Sequence, residues 1–118
     1  MIEHSLSNRA LLDQTYRALA DSTRRGMLVT LRDGPARITD MAGPLPISFA
    51  AAARHVGVLE AAGLIDREVR GRDHWLTVRS AGLRPAEEWI AEQMSFWSLR
   101  ADALAARLER RNRPADPS

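Results

Sequence analysis

The stretch Ser48-Phe49-Ala50-Ala51-Ala52-Ala53-Arg54-His55-Val56-Gly57-Val58-Leu59-Glu60-Ala61-Ala62-Gly63-Leu64-Ile65 decides the fold. Ser48 offers a hydroxyl acceptor where an N-cap belongs, and Pro46 just before it blocks an earlier helix start. Ala52, Val56 and Leu59 then recur at i, i+4 and i+7, the spacing of one helix face. Ala50, Arg54, Gly57 and Ala61 share the opposite face, and Gly63 supplies the stop. The spacing predicts a helix over 49–62, with a buried apolar stripe and an outer face of small residues around one arginine. The period then changes. Leu64 to Val69 and His74 to Val78 read as two short strands about Arg70-Gly71-Arg72-Asp73, a β-hairpin with arginines at its tip.

Upstream, Gly43-Pro44 closes a short third helix over 38–42, which with the helix after Ser48 makes a helix-turn-helix. The hairpin that follows is then a wing. Asp21-Ser22-Thr23 caps a second helix over 22–32, stopped by Asp33-Gly34-Pro35. Leu11, Leu12, Tyr16 and Leu19 mark an amphipathic first helix over 7–19. A last helix starts around Pro85 and runs to about residue 110. In it Ile90, Met94, Trp97, Ala101, Leu104 and Leu108 form a heptad-like seam. Trp89 and Phe96 add an adjoining stripe, more apolar surface than docking one helix requires, so a partner helix is expected. The expected fold class is mainly α with a β-hairpin wing (α+β), a winged helix-turn-helix with a helical dimer interface. Residues 1–111 form one such domain with terminal dimerisation helices, and 112–118 a disordered tail.

Composition narrows the function. A chain of 118 residues is one domain by size, and 45% hydrophobic content suffices for a core. Cysteine is absent, which removes disulfides, thiolate metal sites and thiol nucleophiles. The start lacks the apolar run of a signal peptide, and no stretch approaches the roughly 20 apolar residues of a membrane span. A cytoplasmic protein without membrane contact is expected. All 17 basic residues are arginine. GC-rich codon usage explains that on its own, but arginine also suits phosphates and base edges through its planar fork. Placement favours the second reading. Residues 17–84 hold 11 Arg against 7 Asp or Glu, whereas 85–104 hold one Arg against Glu87, Glu88, Glu92 and Asp102. A basic middle suits a polyanion, and the acidic last helix serves something else.

The run Ala18-Leu19-Ala20-Asp21-Ser22-Thr23-Arg24-Arg25, then Ala53 to Ile65, then Gly71-Arg72 leading into a strand, resembles the ArsR family of bacterial winged helix-turn-helix repressors. The resemblance covers roughly residues 10–110. It implies a homodimer joined through first and last helices, a fourth helix in the major groove of double-stranded DNA at an inverted-repeat operator, and release by an effector. The chain departs from the metal-sensing members. Its third helix reads Ile-Thr-Asp-Met-Ala, its last helix has no histidine, and His4, His55 and His74 are scattered. No metal site and no cofactor are expected. An unknown small-molecule effector remains open, as does a MarR-like regulator, although that fold wants a longer chain. A winged interaction module without DNA binding would lack arginine on the helix-turn-helix face, and nothing in the sequence supports an enzyme.

The candidate DNA contacts are Ser48, Ala50, Ala51, Arg54, His55, Arg70, Arg72, Arg24 and Arg25. Arg54 is placed for base edges, Ala50 and Ala51 for thymine methyls or close approach, and Arg70 and Arg72 for phosphates or a minor groove. His55 either donates to a phosphate or packs at the helix edge. Arg24 and Arg25 either contact phosphates or form salt bridges. Phe49 and Trp75 are read as core residues. The candidate dimer interface is Leu11, Leu12, Tyr16, Ile90, Met94, Trp97, Leu104 and Leu108. Trp89, Phe96 and Trp97 belong to the dimer core or line a ligand pocket.

Overall fold

Asp21 begins the second helix as the spacing predicts: its carboxylate accepts from the backbone N–H groups of Thr23 and Arg24 at 2.8 and 3.1 Å. Ser48 does the same for the fourth helix, with its hydroxyl oxygen accepting from the Ala51 N–H at 3.1 Å. The computed structural model describes residues 2–113, with side chains from residue 8. The order is α1 (Ile2–Leu19), α2 (Ser22–Thr30), a 3-10 turn (Leu31–Asp33), β1 (Ala36–Arg37), α3 (Ile38–Ala42), α4 (Phe49–Ala61), β2 (Ile65–Arg70), β3 (Asp73–Val78), a second 3-10 turn (Ser80–Leu83) and α5 (Arg84–Asn112). Residues up to Ala86 make one compact unit, and the rest of α5 makes another. The last helix therefore continues to Asn112, where the sequence expectation had put tail. Residues 114–118 of that expected tail lie outside the described residues.

The core of the first unit is the one the helical periodicity marks. Ala52, Val56 and Leu59 of α4 are fully buried with Met27, Met41, Leu64, Ile65 and Leu76. The mainly helical chain carries the expected wing, and the sheet has one strand more than the sequence suggests. β2 and β3 pair antiparallel from Ile65↔Val78 to Arg70↔Asp73. β1 adds to the other side of β3, antiparallel, through Ala36↔Leu76 and Arg37↔Trp75. Two residues are too short to show a period, so only their tertiary pairing reveals this strand. The hairpin tip is also tighter than expected. Strand pairing includes Arg70 and Asp73, and Gly71, at φ +64°, leads a two-residue turn with Arg72. A glycine-first turn of this length follows the right-handed twist of its strands.

Two aromatic expectations change. Side chains alternate faces along a strand, and Leu76 takes the buried face, so Trp75 points to the other one. It is half-buried, beneath the guanidiniums of Arg37 and Arg70 at 5.5 and 6.0 Å from its ring centre. Phe49 shares the phase of Ala52 and Val56, but it is the first residue of α4 and is 56% exposed. Both are expected in the core; strand alternation places Trp75 outside it, and position at the very start of α4 leaves Phe49 exposed.

Beyond α4 the backbone turns sharply. Gly63 is at φ +74°, and the Leu64 N–H donates back to the Leu59 carbonyl at 3.0 Å. The Arg79 N–H donates to the Leu64 carbonyl at 2.8 Å, which brings the second 3-10 turn onto this corner. A Cβ on Gly82 would collide with the Gly63 carbonyl. Gly82→Ala is therefore expected to lower unfolding stability by about 1–3 kcal/mol, the usual cost of overpacking, as read by urea denaturation. Gly26→Ala, with open space around it, is expected to cause no loss.

Candidate nucleic-acid interface

α4 presents Ala50, Arg54 and Ala61 outward, opposite its buried stripe. Arg54 is exposed, and among the described residues it makes no hydrogen bond or ion pair. Ser48 and Ala50 are exposed beside it and Ala51 is half-buried, so the first turn offers small side chains around one free guanidinium. Arg72 at the hairpin tip is likewise exposed and unpaired among the described residues. These two arginines keep all their donors.

The hairpin is clamped to α4. The Arg67 guanidinium donates to both Glu60 carboxylate oxygens at 3.1 and 3.2 Å, and to Nδ1 of His74 at 3.0 Å. One side chain thus joins α4, β2 and β3. Sequence inspection missed Arg67, because only the fold brings Glu60 and His74 to it.

The other candidate cations are partly or wholly committed. Arg70 donates to both oxygens of Glu68 at 3.1 Å. That bond raises the Arg70 pKa and lowers that of Glu68. The wing arginines therefore divide into Arg70, held along its own strand, and Arg72, free at the tip. Arg24 is 14% exposed. It donates to the Ala18 carbonyl at 2.8 Å, the Arg17 carbonyl at 2.8 Å and His55 Nδ1 at 3.2 Å. Of the two roles left open for Arg24, the geometry displays the internal one. Arg25 gives one bond to the Leu19 carbonyl at 2.7 Å and is otherwise exposed. Since arginine only donates, His55 Nδ1 is the acceptor, and a neutral ring carries its proton on Nε2. His55 is thus packed at the helix edge and still owns one donor.

Among the described residues no group of three or more His, Asp or Glu is arranged to hold a metal ion, and no helix is long and apolar enough to cross a membrane. The side chain of His4 lies outside the described residues.

The apolar candidates fall on both terminal helices. In α1, Leu11 is exposed and Leu12 and Tyr16 are half-buried, with the Tyr16 hydroxyl donating to the Ala86 carbonyl at 3.0 Å. Along α5, Ile90, Met94, Trp97, Leu104 and Leu108 are all exposed, Met94 and Trp97 by 65% and 60%. Phe96 and Trp97 pack edge to face with ring centres 5.1 Å apart.

No family model matches the chain. A crystal structure of an ArsR family transcriptional regulator superposes with a TM-score of 0.73 at 31% identity, covering 76% of this chain and 93% of that one. An ArsR-like transcriptional regulator from Rhodococcus sp. RHA1 does so with a TM-score of 0.78 at 27% identity, covering 88% and 95%. The HTH-type transcriptional regulator Rv2034 of Mycobacterium tuberculosis is 40% identical over 53 residues, 45% of this chain and 50% of that regulator. The matched stretch thus spans half the length of that curated relative.

Asp21 gives the site a pH dependence. The Arg24 N–H holds its carboxyl below the ordinary 3.8, against an opposing contribution from burial, with the Arg24 charge helping. A lowered folded pKa contributes stability that is complete above 3.8 and lost as the pH falls through the lowered value. The stability difference between the wild type and Asp21→Asn is expected to stay constant from neutral pH down to mild acid. It should then shrink below pH 3.8, as measured by thermal melts across a pH series.

Proposed function

Because the chain belongs to the ArsR family of transcriptional regulators, we propose that it is a dimeric, sequence-specific DNA-binding repressor whose effector is not a thiol-bound metal. The observation that carries this is the pair of uncommitted arginines, Arg54 on the outer face of α4 and Arg72 at the wing tip, on elements that Arg67 ties together. A helix fits the major groove, and an arginine on its outer face pairs with guanine O6 and N7. A hairpin tip with a free guanidinium suits the neighbouring phosphates or a narrow minor groove. Ser48, Ala50 and Ala51 allow close approach, and His55 offers its Nε2 donor to a phosphate. Arg70 and Arg25 contribute positive potential. Arg24 acts through His55, by fixing α4. The chain is cysteine-free, so thiolate-bound zinc, cadmium or arsenite is not the signal.

Dimerisation follows from apolar surface. Ile90, Met94, Trp97, Leu104 and Leu108 repeat at heptad spacing on α5, and exposed side chains of that size in one stripe call for a partner. In this proposal they meet their symmetry mates together with Leu11, Leu12 and Tyr16 of α1, within one winged domain over 1–111. A two-fold dimer then matches an inverted repeat. Light scattering at micromolar concentration is expected to report about twice 13.1 kDa. Trp97→Glu should shift the mass toward the monomer, and a wild-type monomer that binds DNA tightly would contradict the proposal.

The two arginines are expected to behave differently. Arg54→Ala should cost about 1–3 kcal/mol on the operator and relax specificity at one half-site position. Arg72→Ala should weaken operator and scrambled DNA alike and lower the salt slope by about one per half-site. Mobility shifts over a salt series, on inverted repeats with half-site centres about 10 base pairs or a multiple apart, check both. If both variants lost only sequence-blind affinity, α4 would not be the reader.

A further inference from the structure

Between α2 and the base of the hairpin lies an open groove of about 600 Å³, within the size range of small-molecule sites. Leu19 of α1, Leu28 of α2, Val78 of β3 and Leu83 of the second 3-10 turn contribute its apolar walls, and Arg25 and Arg32 border it. No acidic side chain lines it. That matters because five other guanidiniums, those of Arg24, Arg37, Arg67, Arg70 and Arg79, each lie within 4.0 Å of a carboxylate. Arg25 and Arg32 have no carboxylate partner among the described residues. Arg25 is oriented by its single bond to the Leu19 carbonyl, a wall residue of the same groove, and keeps its other donors.

We propose that this groove binds an anionic amphiphile of the acyl-carboxylate class, with the apolar chain along the leucine and valine walls and the carboxylate between Arg25 and Arg32. Each half of such a ligand answers one half of the site. Aliphatic walls gain by removing hydrocarbon from water, and a carboxylate accepts paired N–H bonds from a guanidinium fork. A neutral chain would leave the two cations uncompensated, and a small anion would leave the walls wet. Of its residues only Arg25 is shared with the proposed DNA surface, and none belongs to α4 or the hairpin tip, so Arg32 and Val29 test the groove apart from DNA binding.

The test is calorimetric titration of the full chain with decanoate below its micellar concentration, beside decan-1-ol and acetate. Decanoate is expected to bind saturably at one per chain and at least about tenfold more tightly than decan-1-ol, with no acetate heat. Arg32→Gln should weaken decanoate about tenfold, the scale of one charge-assisted hydrogen bond, and leave decan-1-ol unchanged. Val29→Trp, at an exposed position on the groove, should weaken both. Arg32 and Val29 are exposed, so both variants are expected to fold. Amide shifts on adding decanoate should fall in residues 25–32 and 78–83. Equal affinity for acid and alcohol, an unchanged Arg32→Gln, or shifts confined to α5 would overturn the assignment. So would a groove closed to decanoate because a second copy of the chain covers it.

Discussion

The position of α4 depends on the guanidinium of Arg24. It collects the Arg17 and Ala18 carbonyls at the end of α1 and reaches Nδ1 of His55 on α4. The last four carbonyls of a helix have no partners within it, and here an arginine supplied by the next helix satisfies two of them. Arg25 satisfies a third, at Leu19. The Asp21 carboxylate, which caps α2, also sits 3.9 Å from the Arg24 guanidinium. Helix termination, helix initiation and the seating of α4 are therefore one connected network. Removing Arg24 would leave the part-buried Ala18 carbonyl and His55 Nδ1 without this donor.

A second joint fixes what the first leaves open. Arg67 spans Glu60 of α4 and His74 of β3, so the hairpin cannot swing freely from the helix. Each joint uses a histidine as acceptor, His55 in one and His74 in the other. Protonating either ring would set an imidazolium against a guanidinium and remove the acceptor lone pair. His55 and His74, which the sequence suggests as poor metal ligands, thus have structural partners.

Elements with a long period were legible before folding. The stripe Ala52, Val56, Leu59, the caps at Asp21 and Ser48, the hairpin and the α5 seam all announce themselves through local spacing. What stayed hidden depends on tertiary pairing. β1 is only Ala36–Arg37 and becomes a strand because β3 lies beside it. Trp75 carries a core residue's chemistry, but its register opposite Arg37 and Glu68 places it on the outer face. Among the candidate DNA contacts, the sequence does not distinguish committed arginines from free ones. Arg54 and Arg24 look equally available in one dimension. The groove beside α2 has no sequence signature, since its walls come from five separate elements and the connection at Leu64.

The exclusive use of arginine also gains a physical meaning beyond codon usage or phosphate binding. Arg24 bonds three acceptors in three directions, and Arg67 grips a carboxylate with two donors while a third reaches His74. Arg37 binds Asp40 through two nitrogens and also covers Trp75. A lysine ammonium is a compact point charge at the end of a flexible stem and matches none of these planar forks. In a domain this small, with short sheet strands and a five-residue α3, such multidentate side chains do joining that longer elements would do by packing. The surface charge available to a polyanion is then smaller than the composition implies. Among the described residues it rests on the arginines, Arg54 and Arg72 among them, that the internal network leaves uncommitted.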